Sequence, residues 1–207
     1  MRGARDFIAR HGETVFNAAG RIQGDAEHTP LTRAGIAQAD AIGRALHGLL
    51  GTGPALELWA SPTGRTLQTL AIIAEHLGLD WHAHRTDPRL VEIGTGAWTG
   101  RYYRDLAAER GSIVRADGLI EPAPGGEDYP GIAARVAGWL GDSDGARDRL
   151  VVTHGITSRV MRGVMTGAAV DAWAGVPVAP GLPQGSIVMV EDGRETLVHR
   201  GGGHAPA

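Results

Sequence analysis

A three-layer α/β/α sandwich around a central, mainly parallel sheet is the fold class that this sequence predicts, and three observations carry it. Short apolar runs of strand character, Phe7-Ile8-Ala9, residues 56–60 and Leu150-Val151-Val152, alternate with stretches whose apolar residues recur at three and four. Each run ends in a polar cluster holding glycine or proline, where the backbone can turn over into a helix. Two closing runs, 186–190 and 195–198, flank Asp192-Gly193, a hairpin signal that sets an antiparallel pair at one edge of the sheet.

Taken in order, the first run leads straight into Arg10-His11-Gly12-Glu13-Thr14. Gly12 would let the backbone approach a ligand, and Glu13 and Thr14 suit a first helical turn. Residues 17–29 read as a polar loop. Thr32 then caps a helix whose inner face is Ile36, Ala39, Gly43, Leu46 and Leu50 and which stops at Gly51-Thr52-Gly53-Pro54. After the strand at 56–60, Ser61 and Pro62 read as N-cap and first helical position, which puts Arg65 in the first turn. Leu67, Leu70, Ala71, Ala74 and Leu77 face inward from that helix. Residues 81–85 read as a third short strand.

From 87 to 126 no single period holds, and glycine and proline are frequent. This is an inserted excursion from the core with a short helix over 103–110, and it is the expected source of substrate-contacting loops. Helical spacing returns over 127–140. The strand at 150–152 runs into Thr153-His154-Gly155, and a helix follows over 156–165. Residues 1–200 make a single domain, and Gly201-Gly202-Gly203 opens a tail to 207 that is expected to be flexible.

Composition removes several chemistries. The 207 residues hold no cysteine, so disulfide scaffolds, thiolate metal sites and cysteine nucleophiles are out. Every basic side chain is arginine, which removes lysine nucleophiles and Schiff bases. A net charge of −3 supplies no basic field for nucleic acid or anionic lipid. With 43% hydrophobic residues, no long apolar run and no secretory leader in residues 1–6, a soluble cytoplasmic protein without a membrane span is expected.

Parallel strands end on one edge of a sheet, so Arg10-His11-Gly12, Ser61-Pro62 with Arg65, and Thr153-His154-Gly155 should converge there. Two histidines and two arginines would face one cavity, and the following helices would add backbone donors. A guanidinium beside a histidine disfavours a metal ion and favours an oxyanion.

On these residues the chain resembles the histidine phosphatase superfamily, in the branch that includes cofactor-dependent phosphoglycerate mutases and the small phosphatases similar to them. The resemblance spans nearly the whole length. It rests on residues 10–14 with Asn17, on Gly20-Arg21-Ile22-Gln23-Gly24, and on Pro30-Leu31-Thr32 with Gly35, Gln38 and Ala39. It continues in Ser61-Pro62 with Arg65, Thr66 and Thr69, in Leu90, Glu92, Gly94, Trp98 and Gly100, in Pro124-Gly125-Gly126-Glu127, and in residues 152–155.

That resemblance implies a phosphoglycerate mutase-like fold and covalent catalysis without metal or cofactor. His11, neutral with Nδ1 protonated, would attack phosphorus through Nε2. Arg10, Arg65 and His154 would clamp the phosphoryl oxygens, with Asn17 as a further donor. Glu92 would protonate the leaving alkoxide and then activate water, and Gln23 and Gly24 would lie at the pocket mouth. His28 stands where relatives commonly have aspartate, and Asp128 where serine is usual. These departures bear on substrate contacts and loop anchoring.

A short stretch after Glu92 favours a phosphatase, an acid-phosphatase-like phosphomonoesterase acting on a small phosphorylated metabolite. The alternative is a mutase. Two remoter readings are a metallohydrolase built on His11, His154 and Glu92, and a non-catalytic phosphoryl-binding module. Arg101, Tyr102, Tyr103, Arg104 and Arg115 could select a negatively charged substrate or could be solvated. His28, His47, His76, His82, His84, His199 and His204 read as surface or strand residues. Trp139, Trp173 and the apolar loop 176–183 read either as a homodimer contact or as packing on the protein's own core.

Overall fold

The computed structural model describes residues 3–142 and 146–203. Six strands, β1 (Asp6–Arg10), β2 (Glu57–Ala60), β3 (Arg85–Thr86), β4 (Arg149–Thr153), β5 (Ile187–Glu191) and β6 (Arg194–His199), form one sheet in the order β3-β2-β4-β1-β5-β6. The first four in that order run parallel, while β5 lies antiparallel on β1 and β6 antiparallel on β5. The protein is therefore the expected sandwich, with the hairpin at one edge. At the turn, both Asp192 and Gly193 have positive φ (48° and 72°), as a tight primed turn requires.

Side-chain alternation along the central strands splits the core in two. Phe7, Ala9, Leu150 and Val152 pack with the layer of α2 (Arg33–Leu50) and α3 (Gly64–Leu77). Ile8 and Val151 point the other way, into the layer of α5 (Tyr129–Gly141) and α6 (Gly155–Thr166). At the start of the two central strands, paired Asp6 and Arg149 form a buried bidentate ion pair of 2.5 and 2.9 Å. The Arg149 guanidinium also lies 4.7 Å from the Trp139 ring centroid.

Tertiary packing shifts several expected boundaries. The buried face of α2 is Gly35, Ala39, Ile42, Gly43 and Leu46, and Ile36 is 50% exposed. Gly35 sets that rotation, because a Cβ on it would sit 2.0 Å from the Glu13 carbonyl oxygen. Gly12 meets the same helix, with a Cβ position 2.3 Å from the Gly35 oxygen. Its missing side chain thus serves contact with α2 and not ligand approach. Helix α3 starts at Gly64 behind Thr63, not at Pro62, and the Gly64 N–H donates to the Glu27 carbonyl at 2.9 Å.

The expected third strand at 81–85 is a 3-10 turn (Trp81–Ala83) capped by Asp80, followed by the two-residue β3. With both residues of β3 exposed at the sheet edge, no buried face supports a longer strand. The polar loop at 17–29 starts inside a short helix, α1 (Val15–Ala19), closed by a capping box between Thr14 and Asn17. Asp128 caps α5 by accepting from Gly131 N at 2.8 Å, which a serine could do equally well.

The segment 87–126 holds α4 (Tyr103–Arg110) as expected, yet it packs onto the sheet and does not stand apart from it. Leu90, Ile93, Trp98, Leu106, Ile113, Leu119 and Ile120 join the core on the α5/α6 side. Its 100–102 stretch pairs with 21–22 through Ile22 N to Arg101 O (2.8 Å) and Gly100 N to Ile22 O (2.8 Å). Trp139 is buried edge-to-face against Trp59, and Arg159 and Arg162 of α6 donate to the carbonyls of Ala179 and Pro180. Both Trp139 and the 176–183 loop accordingly belong to the protein's own core. Gly201, expected to open a flexible tail, is buried and donates to Ser186 Oγ at 2.9 Å, while residues 204–207, with His204, lie outside the described residues. No helix among the described residues is long and apolar enough to cross a membrane.

Candidate active site

Parallel neighbours β1 and β4 place Arg10 beside Thr153, so His11 and His154 leave adjacent strands at the same edge. Their rings meet edge to face with centroids 5.2 Å apart, and both are buried. His11 Nδ1 lies 2.7 Å from the Gly12 carbonyl, which fixes that nitrogen as the protonated one and leaves Nε2 with its lone pair. Burial first, then the charges of Arg65 and Arg10, hold the His11 imidazole well below its ordinary pKa of 6.5, against the opposing pull of the Gly12 hydrogen bond. The ring is neutral at physiological pH.

His154 is fixed in the other tautomer. Its Nδ1 accepts from Arg65 Nε at 3.2 Å, so its Nε2 carries the proton and donates to Ser61 Oγ at 2.8 Å. It too is held well below 6.5, by burial and then by the Arg65 charge. Ser61, expected as a helix cap, instead orients this histidine.

Arg10 and His11 line a pocket with Asn17, Arg21, Gln23, Gly24, Glu92, Ile93, Thr95, Tyr103, Ile120 and Ile156. Arg65 and His154 do not line it; they form a layer behind, both fully buried. The expectation that two histidines and two arginines face one cavity is thus met by one of each. Arg65 donates to the carbonyls of Ala26 (2.5 Å) and Gly24 (2.8 Å) and to Thr29 Oγ (3.0 Å), tying down the loop that carries Gln23 and Gly24. Arg10 donates to the Leu182 carbonyl at 2.6 Å, and its buried Nε has no partner among the described residues. Burial lowers both guanidinium groups to a pKa of about 10, so both stay charged at neutral pH.

Thr14 Oγ lies 2.9 Å from Asn17 Oδ1 and 2.5 Å from Gln23 Oε1. With both amide oxygens turned to Thr14, both NH2 groups remain as donors for a ligand. Glu92 sits at the start of α6, where Oε1 accepts from Ile93 N (3.0 Å), Thr157 N (3.0 Å) and Thr157 Oγ (3.2 Å), and Oε2 accepts from Ile156 N (3.1 Å). The helix N–H groups expected to bind the anion are therefore occupied by Glu92. Thr157 is held in turn by Arg135 (3.2 Å), which forms a bidentate pair with Glu127. The 124–127 motif anchors this corner.

Sequence reasoning missed the Leu182 carbonyl, because a backbone acceptor 172 residues away leaves no residue-type signal. It also missed Thr157 and Arg135. Thr157 was readable in principle, two positions beyond the His154-Gly155 pair. Among the residues left open, Arg101, Arg104 and Arg115 are paired with Glu109, Asp105, and Asp117 with Asp171, whereas Tyr103 enters the pocket. His28 is solvent-exposed. The trio His11, His154 and Glu92 does not aim free lone pairs at a common point, since both His154 nitrogens are engaged by Arg65 and Ser61.

An open α/β sheet whose strand ends present a neutral imidazole, with one buried guanidinium lining the pocket and another in the layer behind, defines a class of oxyanion-handling proteins. The family model of the histidine phosphatase superfamily (branch 1) matches residues 7–201, and the chain belongs to that superfamily. It is 37% identical over 160 residues to a probable phosphoglycerate mutase GpmB of Enterobacter, covering 72% of this chain and 69% of the relative. It is 32% identical over 176 residues to the adenosylcobalamin/alpha-ribazole phosphatase of Salmonella typhimurium, covering 82% and 83%. A putative alpha-ribazole-5'-P phosphatase structure from Escherichia coli superposes with a TM-score of 0.74 at 26% identity, over 99% of this chain and 98% of that one.

Proposed function

We propose that the protein is a metal-independent phosphomonoesterase that hydrolyses a small phosphorylated metabolite through a phosphohistidine at His11. One observation carries the reading: His11 Nδ1 is spent on the Gly12 carbonyl, leaving a neutral, nucleophilic Nε2 in the pocket that Arg10 also lines. Nε2 attacks phosphorus, the bond to the ester oxygen breaks, and Glu92 gives that oxygen its proton. Glu92 Oε2, which accepts a single N–H, is the oxygen with room for that proton. Water then attacks the phosphohistidine, returns a proton to Glu92, and releases phosphate and neutral His11. Arg10 with the amide groups of Asn17 and Gln23 and the Gly24 backbone holds the oxygens, and Arg65 and His154 act from the layer behind. Fixed donors and charge aimed at the phosphoryl oxygens stabilise the transition state without reorganising at the moment of reaction.

Rapid alkaline quenching with 32P-labelled substrate is expected to trap an acid-labile, base-stable phosphoramidate on His11. Steady phosphate release with no trapped label would overturn the covalent route. A second reading, a phosphoglycerate mutase, is favoured by the name of the Enterobacter relative. Phosphate release and isomerisation measured together on 3-phosphoglycerate separate the two, and fast isomerisation with negligible release would install the mutase. A small soluble metabolite as substrate fits the cytoplasm as the compartment.

A further inference from the structure

Arg21 differs from the arginines of the inserted segment. Arg101, Arg104, Arg110 and Arg115 each lie against a carboxylate, with Arg110 bound to Glu121 at 3.2 Å and Arg115 to Asp117 at 3.1 Å. Arg21 lines the pocket beside Gln23, Thr95 and Tyr103 and has no carboxylate within ion-pair distance among the described residues. The side chain is nonetheless fixed. Its guanidinium carbon sits 4.6 Å from the Phe16 ring centroid and 5.2 Å from that of Tyr102, and its Nε donates to the Gly100 carbonyl at 2.7 Å. Ring contacts use the guanidinium faces and Gly100 uses Nε, so the edge carrying the two terminal nitrogens keeps all its hydrogens.

Such an edge matches the two oxygens of a carboxylate or a phosphate. Stacking has already removed the rotamer freedom that an arginine would otherwise lose on binding. Arg10 and Arg65 serve the reacting phosphoryl group under the function proposed above, which leaves the open edge of Arg21 for another part of the substrate. We propose that Arg21 is a specificity-determining residue that binds a second anionic group of the substrate. The preferred phosphomonoester then carries a carboxylate or a further phosphate on its leaving group. This inference rests on the phosphatase reading and extends it from reaction to substrate class.

Two matched pairs test it: phosphoserine against phosphoethanolamine, and fructose 1,6-bisphosphate against fructose 1-phosphate, with p-nitrophenyl phosphate as reference. Wild-type protein is expected to favour the more anionic member of at least one pair by about tenfold or more in kcat/KM, the order expected of one charge-assisted contact. Arg21→Gln should collapse that ratio to about threefold or less, through a raised KM for the anionic ester, and Arg21→Lys should restore part of it. An equal loss on both members of each pair would assign Arg21 to loop anchoring alone and overturn the proposal. So would a wild-type ratio near one in both pairs. Failure of the wild-type protein to release phosphate from any of the five esters would instead overturn the proposed function itself.

Discussion

The floor of the pocket and the inserted segment over 87–126 treat arginine in opposite ways. On the floor, taken as the inner wall with the layer behind it, Arg10 lines the pocket and Arg65 lies behind; both are buried, without a carboxylate in ion-pair distance among the described residues, and are held by the carbonyls of Leu182, Gly24 and Ala26. Within the inserted segment, Arg101, Arg104 and Arg115 are each neutralised by an acidic neighbour, Glu109, Asp105 and Asp117. Carbonyl dipoles fix a guanidinium in place without cancelling its charge, whereas a carboxylate cancels it. The floor therefore stores positive charge for a ligand, and these three arginines of the inserted segment store none.

This contrast can be broken first at the nucleophile. His11→Ala is expected to lower turnover by about 10^4-fold or more, with no phosphoramidate trapped and with cooperative thermal unfolding retained. Substantial residual activity would move the chemistry off the floor. Next in size, Glu92→Gln should cut kcat for an alkyl phosphate by about 10^2- to 10^4-fold. With p-nitrophenyl phosphate, whose leaving group needs no acid, the same variant should show a burst of p-nitrophenol followed by slow turnover; a burst-free loss would deny Glu92 its second role.

Asp6→Ala sharpens the comparison from the far end of the strands, because it strands the buried Arg149 charge without its partner. Urea unfolding should report a loss of about 3 to 5 kcal/mol. A loss below about 1 kcal/mol would mean that Arg149 escapes to solvent.

The pH dependence follows from the floor. His11 and His154 refuse protons in the native state at pH values where the unfolded chain accepts them, so the unfolded state binds more protons as pH falls below 6.5. Stability should decline from about pH 6.5 downward, and it should be insensitive to these two groups above that value. The acidic limb of kcat/KM should likewise lie below 6.5, and KM should rise as pH approaches about 10, where Arg10 and Arg65 lose charge. A pH–rate profile whose acidic limb falls at 6.5 or above would show an unshifted nucleophile. In the inserted segment, Arg101→Ala removes an exposed pair with Glu109 and should change stability by about 0.5 kcal/mol or less, read by the urea midpoint.

Most of the fold was legible in the sequence because hydrophobic period and turn chemistry are local. The strands at 7–9 and 150–152, the 192–193 turn and the helix at 103–110 needed no knowledge of what they touch. Boundaries failed where a distant contact decided them. Ile36 faces solvent because Gly35 packs on Glu13, and α3 starts late because Ser61 is engaged by His154 and Gly64 by Glu27.

The sequence by itself determined which side chains the strand ends deliver to one edge, since parallel pairing allows a histidine after β1 and after β4 no other place to emerge. It determined the absence of cysteine and lysine chemistry outright. Only the tertiary structure decided that Arg65 and His154 stand behind the pocket and not in its wall, that Glu92 occupies N–H groups of α6, and that Arg21 keeps its edge open where Arg101, Arg104, Arg110 and Arg115 meet carboxylates. Those outcomes depend on which carbonyls, hydroxyls and rings come within reach across tens of residues, and no local pattern of residue types encodes such a distance.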